Sequence, residues 1–207
     1  MYENPKFNEN NEKILCEMNG KNADMLMNIK TKVLKAGESV TICDANNETA
    51  ILLLSGDVKY SFDGKEENAK RENQFVDRPY CIHFSRNNEV TVTANADSRI
   101  LIQQTDNEKD FGFVWYSPEN VILQEFGKDQ WNGTAHRQVL TLFDYENAPY
   151  SNMVLGEVIH KPGCWSSYPP HYHPQPEVYY YEFDKPQGFG VGFNGDDCYK
   201  VEDQGVL

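Results

Sequence analysis

The chain has 207 residues, of which 39% are hydrophobic and 25% charged, so it reads as one large or two small globular domains with a sizeable core rather than a disordered segment. Thirty-two acidic residues against 19 basic ones give a net charge of −13. That balance excludes nucleic acid and anionic membrane as partners, because phosphate binding needs clustered Lys and Arg, and an anionic substrate would need cations placed locally. The five cysteines (Cys16, Cys43, Cys81, Cys164 and Cys198) are odd in number, widely spaced and free of any Cys-x-x-Cys pair, which suits a reducing compartment. No basic-then-apolar leader and no span-length apolar run occurs, so the cytoplasm is the expected location.

In chain order, residues 1–22 are polar and predict an arm or loose lead-in. From residue 25 the text becomes strand-like. Residues 25–34 alternate in part, Gly37 interrupts, and 39–43 resume. The apolar run 49–54 is followed by Ser55-Gly56-Asp57, and 58–62 then alternate strictly until Asp63-Gly64. Two strands around a glycine-containing turn predict a hairpin about Gly56. Further strands are expected at 80–84, 89–94 and 99–104. The wholly polar run 106–110 predicts a seam between two units. Beyond it, 133–137 reads as a loop, and 139–143 and 152–160 as strands. No window has helical periodicity with caps, and 12 tyrosines and 11 phenylalanines favour β structure. Many short strands separated by turns predict an all-β sandwich or small barrel.

The chemistry concentrates at Trp165-Ser166-Ser167-Tyr168-Pro169-Pro170-His171-Tyr172-His173-Pro174-Gln175-Pro176-Glu177. On an extended chain, residues two apart share a face, so His171 and His173 can aim both imidazoles at one point. Glu177 follows just before the β-prone run Val178-Tyr179-Tyr180-Tyr181. Two imidazoles and a carboxylate form a facial ligand set for a divalent transition metal, with positions left open for water or substrate. The prolines fix φ and stiffen the approach. A His-x-His pair also occurs by accident on surfaces, and these prolines also suit an ordinary loop. His83, His136 and His160 stand alone and read as packed, hydrogen-bonded or surface residues. Arg137 could meet a carboxylate with its planar fork, or take part in a surface ion pair.

The string Trp165 to His173, then Glu177-Val178-Tyr179-Tyr180-Tyr181, then Pro186-Gln187-Gly188-Phe189-Gly190, resembles the 5-deoxyglucuronate isomerase family of inositol catabolism. That family is grouped with the 4-deoxy-L-threo-5-hexosulose-uronate ketol-isomerases of pectin breakdown. The resemblance implies an all-β, two-domain cupin (a bicupin of jelly rolls). A degenerate N-terminal cupin would span 23–110, and a partial C-terminal cupin bearing the metal motif would span 111–207. It makes His171, His173 and Glu177 metal ligands, with zinc first and manganese or iron as alternatives. The family's fourth ligand is a histidine on a later strand, and no histidine follows His173. The expectation is therefore a truncated member with an incomplete second barrel, whose open strand edges leave a homo-oligomer open.

The implied chemistry is aldose–ketose isomerisation of a small deoxy-uronate sugar acid. Tyr179, Tyr181 and Glu182 are the candidate bases or hydrogen-bond partners, and alternation puts Tyr179 and Tyr181 on one face with Glu177. The tyrosines equally suit plain barrel packing. The short spacer to Glu177, Tyr181 where the named branch often has His, and Gly192 near where it has a Gln-Arg pair all point to a side branch. Two other readings stay open: a vestigial, non-catalytic sugar-binding cupin, and an Fe(II) cupin oxygenase, since two His and one carboxylate also suit iron.

Overall fold

The computed structural model describes residues 2–166 and 171–207. Among the described residues there are fourteen strands: β1 Glu12–Cys16, β2 Asn28–Leu34, β3 Ser39–Cys43, β4 Asn47–Phe62, β5 Lys65–Arg71, β6 Cys81–Phe84, β7 Glu89–Ala94, β8 Ser98–Asp106, β9 Phe113–Tyr116, β10 Ile122–Phe126, β11 Arg137–Phe143, β12 Leu155–His160, β13 Phe189–Asn194 and β14 Asp197–Glu202. Helical structure among the described residues is limited to short 3-10 turns at Ala23–Met25 and Trp131–Gly133. The all-β architecture expected from the sequence is present. The first nine strands form one antiparallel sheet of order β1-β2-β8-β4-β6-β9, with β3, β5 and β7 attached through β4 and β7.

Strand β4 organises this sheet, and it corrects the hairpin expected about Gly56. The chain does not turn there. It continues as one strand of 16 residues that pairs with β6 and β8 along its first half and with β5 and β7 along its second. The register slips between Leu53 and Ser55, the mark of a bulge. The extra residue inverts the alternation. Before it, Ile51 and Leu53 point into the barrel core. After it, Val58, Tyr60 and Phe62 do. Gly56 has φ of +116°, and a Cβ there would stand 2.6 Å from the Ser98 Cα, so only glycine fits. Ser98 secures the bend, its Oγ accepting from the Asp57 N–H at 3.1 Å. The true hairpin is one turn later, at Asp63-Gly64, leading into β5.

Three other strands depart from expectation. The polar lead-in contains β1, which pairs with β2 and buries Leu15 and Cys16 completely or nearly so. The charged run Lys65–Arg71 is β5, an edge strand held by β4. Strand β9 lies beyond the polar run 106–110 and pairs with β6.

Two cores result. The barrel interior is filled by residues such as Ile51, Leu53, Tyr60, Ile82, Val92 and Ile100, with Trp115 edge-on to Tyr60 at 5.1 Å. The second core lies on the barrel's outer face. There Leu15, Ala50, Leu52, Leu54 and Leu101 meet Leu140, Leu142, Phe143, Ala148 and Met153 from later in the chain. That later part comprises the sheet β10-β11-β12 and the hairpin β13–β14. A short ladder joins 179–181 to 205–207, and Val206 bridges both Tyr180 and Glu3. His83 belongs to the junction. It is fully buried, with Nε2 2.9 Å from Glu48 and its ring stacked on Phe143 at 4.1 Å. This is the packed, hydrogen-bonded strand histidine that its isolation suggested.

Candidate functional site

Of the metal-motif approach, Ser167, Tyr168, Pro169 and Pro170 lie outside the described residues, so the stiffening assigned to Pro169 and Pro170 does too. From His171 onward the geometry is defined. His173 Nδ1 is 2.8 Å from the Gln175 carbonyl. A carbonyl only accepts, so Nδ1 carries the proton and the Nε2 lone pair is free in the neutral ring. That Nε2 stands 3.3 Å from Glu177 Oε2. The His171 and His173 ring centres are 5.8 Å apart.

These distances test whether the residues suit a divalent metal. Two donor atoms each about 2.0–2.1 Å from one tetrahedral ion stand about 3.3–3.4 Å apart, the separation of His173 Nε2 and Glu177 Oε2. Two imidazoles on one ion have ring centres roughly 5–6.4 Å apart, which includes the His171–His173 spacing. The Nδ1–H bond to a backbone carbonyl is the usual brace of a ligating histidine. The His173–Glu177 pair is thus spaced as two donors to one zinc-type ion. Among the described residues, no three His, Cys, Asp or Glu side chains already close on one point.

The strand after the motif sorts the candidate bases. Tyr179 exchanges backbone hydrogen bonds with Leu207 at 2.9 and 3.0 Å, and the Tyr181 N–H donates to the Gly205 carbonyl at 2.9 Å. Extended backbone imposes a period of two. Val178 and Tyr180 pack into the core against the first barrel. Tyr179 and Tyr181 take the opposite face, their rings 6.2 Å apart. Burial, with the Glu177 charge second, pushes the Tyr181 phenol up to about 12. Tyr181 is thus a hydrogen-bond donor at neutral pH and not a base.

Glu182 is a correction. It falls on the parity of Val178 and Tyr180, facing the first barrel, where its carboxylate forms a two-point ion pair with Arg99 of β8. The Gln74 amide donates to the same carboxylate at 2.9 Å. A carboxylate so committed, on the face away from Glu177, cannot serve as the base beside His171 and His173. The alternation that joined Tyr179 and Tyr181 to Glu177 also separates Glu182 from them.

The glycines after the tyrosines have a packing reason. A Cβ on Gly190 would stand 2.9 Å from Val201 Cγ2, and one on Gly192 2.6 Å from Leu207 Cδ2. The bare face thus leaves room for Val201, the cross-strand partner of Gly190, and for Leu207. The opposite face carries the exposed Phe189, Val191 and Phe193, the last stacked on Trp165 with ring centres 6.4 Å apart.

An all-β cupin with a histidine–carboxylate cluster on its second half is the class that fold and site define. The model of the KduI/IolB family matches residues 1–207, and the chain belongs to that family. The 5-deoxy-glucuronate isomerase of Bacillus subtilis strain 168 is 28% identical over 193 residues, covering 87% of this chain and 70% of that protein. The enzyme of the same name from Bacillus licheniformis is 27% identical over 200 residues, covering 89% and 72%. Among solved structures, an IolB-like protein from Salmonella typhimurium superposes with a TM-score of 0.76 at 22% identity, covering 87% of this chain and 74% of that one. That likeness speaks for the fold. The family kinship assigns the chain to the isomerases. No helix among the described residues is long and apolar enough to cross a membrane.

Proposed function

We propose that the protein is an aldose–ketose isomerase for a deoxy-uronate sugar acid of the 5-deoxy-glucuronate type, working with a divalent metal held by His171, His173 and Glu177. The observation that carries this reading is the placement of His173 Nε2 3.3 Å from Glu177 Oε2 while Nδ1 is engaged by the Gln175 carbonyl. The names of the Bacillus relatives support the substrate class.

A bound divalent ion supplies Lewis-acid polarisation of a sugar carbonyl and its neighbouring hydroxyl, which acidifies the carbon-bound proton between them. The chain's own residues supply the rest. His173 is held in one tautomer by Gln175, and Glu177 contributes the negative charge that retains a cation. Tyr181, kept protonated, donates a hydrogen bond to a sugar oxygen on the Glu177 face. Tyr179 is the remaining candidate from the sequence for contact with the substrate on that face. Glu182 acts only through Arg99, by fixing the strand that carries them.

Metal analysis of the purified chain and of His173→Ala and Glu177→Gln, alongside a uronate isomerisation assay, tests this. Zinc or manganese near one per chain, reduced at least tenfold in both variants together with turnover, is the expected result. Equal metal content in all three would remove the site. A metal-free chain that binds sugar acid without turnover would establish the non-catalytic reading instead, which the absence of a closed three-ligand group among the described residues favours.

A further inference from the structure

Sheet β10-β11-β12 has two faces of different character. One packs on the first barrel: Leu140 is buried, Ile159 joins the shared core, and Glu157 is gripped by Arg71. On the other face Phe126, Arg137 and His160 are cross-strand partners and form one row. The remaining rows on that face, Gln124–Val139–Val158 and Ile122–Thr141–Gly156, carry no charge. Arg137 is therefore the one permanently charged side chain on the open face of these three strands.

Its surroundings leave it ready for an anion. The guanidinium lies 5.4 Å from the centre of the Phe126 ring. Nη1 donates to the Ala135 carbonyl at 3.2 Å, and no carboxylate of the described residues pairs with it. Arg71 and Arg99, by contrast, are both closed by two-point carboxylate pairs. A planar fork backed by an aromatic face matches a carboxylate in two parallel hydrogen bonds, and half-burial limits screening by water. His160, the cross-strand partner on the other side, sets a second, hydrogen-bonding ring beside the guanidinium.

The row also stands at the right end of the sheet. Strand β12 finishes at His160, and the chain turns through 161–163 to Trp165, whose N–H donates to the Thr134 carbonyl at 2.7 Å, three residues before Arg137. Trp165, six residues before His171 in the chain, is thereby tied beside the start of β11, where Arg137 lies. In a uronate, the carboxylate is the opposite terminus of the carbon chain from the carbonyl that isomerises. Its anchor must accordingly be a group separate from the histidine–glutamate cluster, and on a chain of net charge −13 it must be a locally placed cation.

We propose that Arg137, backed by Phe126 and flanked by His160, is the subsite that receives the carboxylate of the sugar acid and sets the preference for acids over neutral sugars. The inference rests on the sugar-acid reading above. Calorimetric titration of the whole, metal-loaded chain with D-glucuronate and with D-glucose tests it. The wild type is expected to bind glucuronate at least tenfold more tightly than glucose. Arg137→Met should abolish that preference while glucose affinity, metal content and the urea midpoint hold. Arg137→Lys, which keeps the charge and the fold but loses the fork, should retain part of it. Undiminished glucuronate affinity in Arg137→Met, or in Arg137→Lys should the methionine variant not fold, would overturn the assignment. So would a wild type that does not prefer the acid. Failure of the isomerase reading looks different: glucuronate preference dependent on Arg137, with no turnover by the wild type.

Discussion

Tyr181 shows what a residue's surroundings do to its chemistry. Its phenol titrates near 10 in the unfolded chain and at about 12 in the folded one, chiefly through burial and next through the charge of Glu177. The raised value favours the neutral form on folding. The stability linked to Tyr181 is therefore complete below about pH 10 and is lost as pH rises from 10 towards 12, where the unfolded chain gives up the proton first. Phenolate absorbance followed against pH should show one transition near 12 that disappears in Tyr181→Phe; a transition of Tyr181 near 10 would mean its ring is hydrated. Arg71 is a second case. Fully buried, it donates to both oxygens of Glu157 at 2.7 Å and to the carbonyls of Leu53, Gln74 and Asp77. Arg71→Met leaves a largely buried carboxylate and several carbonyls without donors, an expected loss of about 3–5 kcal/mol in urea unfolding. A loss under 1 kcal/mol would show that water replaces the guanidinium.

At the level of elements, the bulge in β4 decides which core each side chain enters. Gly56→Ala sets a methyl against Ser98 at a backbone angle that disfavours any side chain, and should cost about 1–3 kcal/mol in chemical denaturation. An unchanged midpoint would mean that β4 can straighten. The extended segment 177–182 divides in the same way by parity: Glu177, Tyr179 and Tyr181 on the site face, Glu182 on the barrel face with Arg99. A double-mutant cycle over Arg99→Met and Glu182→Met should show singles more damaging than the pair, because each single strands a mostly buried charge. Additive effects would show two independent side chains. The unaided sequence suggested the parity of the tyrosines but not that Glu182 has a partner 83 residues away, since an ion pair between distant strands leaves no local pattern.

Over the whole molecule, the two halves share one core rather than touching across a polar interface. Leu52, Leu54 and Leu101 from the first barrel contact the cluster that contains Leu140, Leu142 and Phe143. Glu48 extends the junction, its Oε2 on His83 and its Oε1 accepting from the Asn152 N–H at 2.6 Å. A common core of this kind predicts a single cooperative urea transition, with tryptophan fluorescence and far-ultraviolet circular dichroism coincident. Two separated transitions would mean that the halves fold independently. The chain's last described residues take part as well. Val206 exchanges backbone bonds with Glu3 at 2.8 and 2.9 Å while its neighbours pair with 179–181. Removal of 205–207 should therefore expose 177–182 to protease before the first barrel is cut.

Composition and alternation were enough for an all-β chain, because a half-buried strand must alternate whatever it packs against. Strands β3 and β7 follow that pattern with the bounds the sequence suggests. The two-residue spacing of His171 and His173 and the carboxylate of Glu177 likewise mark the candidate site without reference to the rest of the fold. Other features depended on partners far away in sequence. Strand β5 is a charged run made extended by pairing with β4. The polar lead-in becomes β1 because β2 offers it an edge. The parity of β4 changes at a bulge between Leu53 and Ser55, beside the close approach of Gly56 to Ser98. Arg137 reads in sequence as any surface arginine, and it gains its setting from Phe126 and His160, which two other strands bring beside it. Local pattern reports which faces a segment has. What each face meets is settled by pairing between distant segments, and that only the tertiary structure decided.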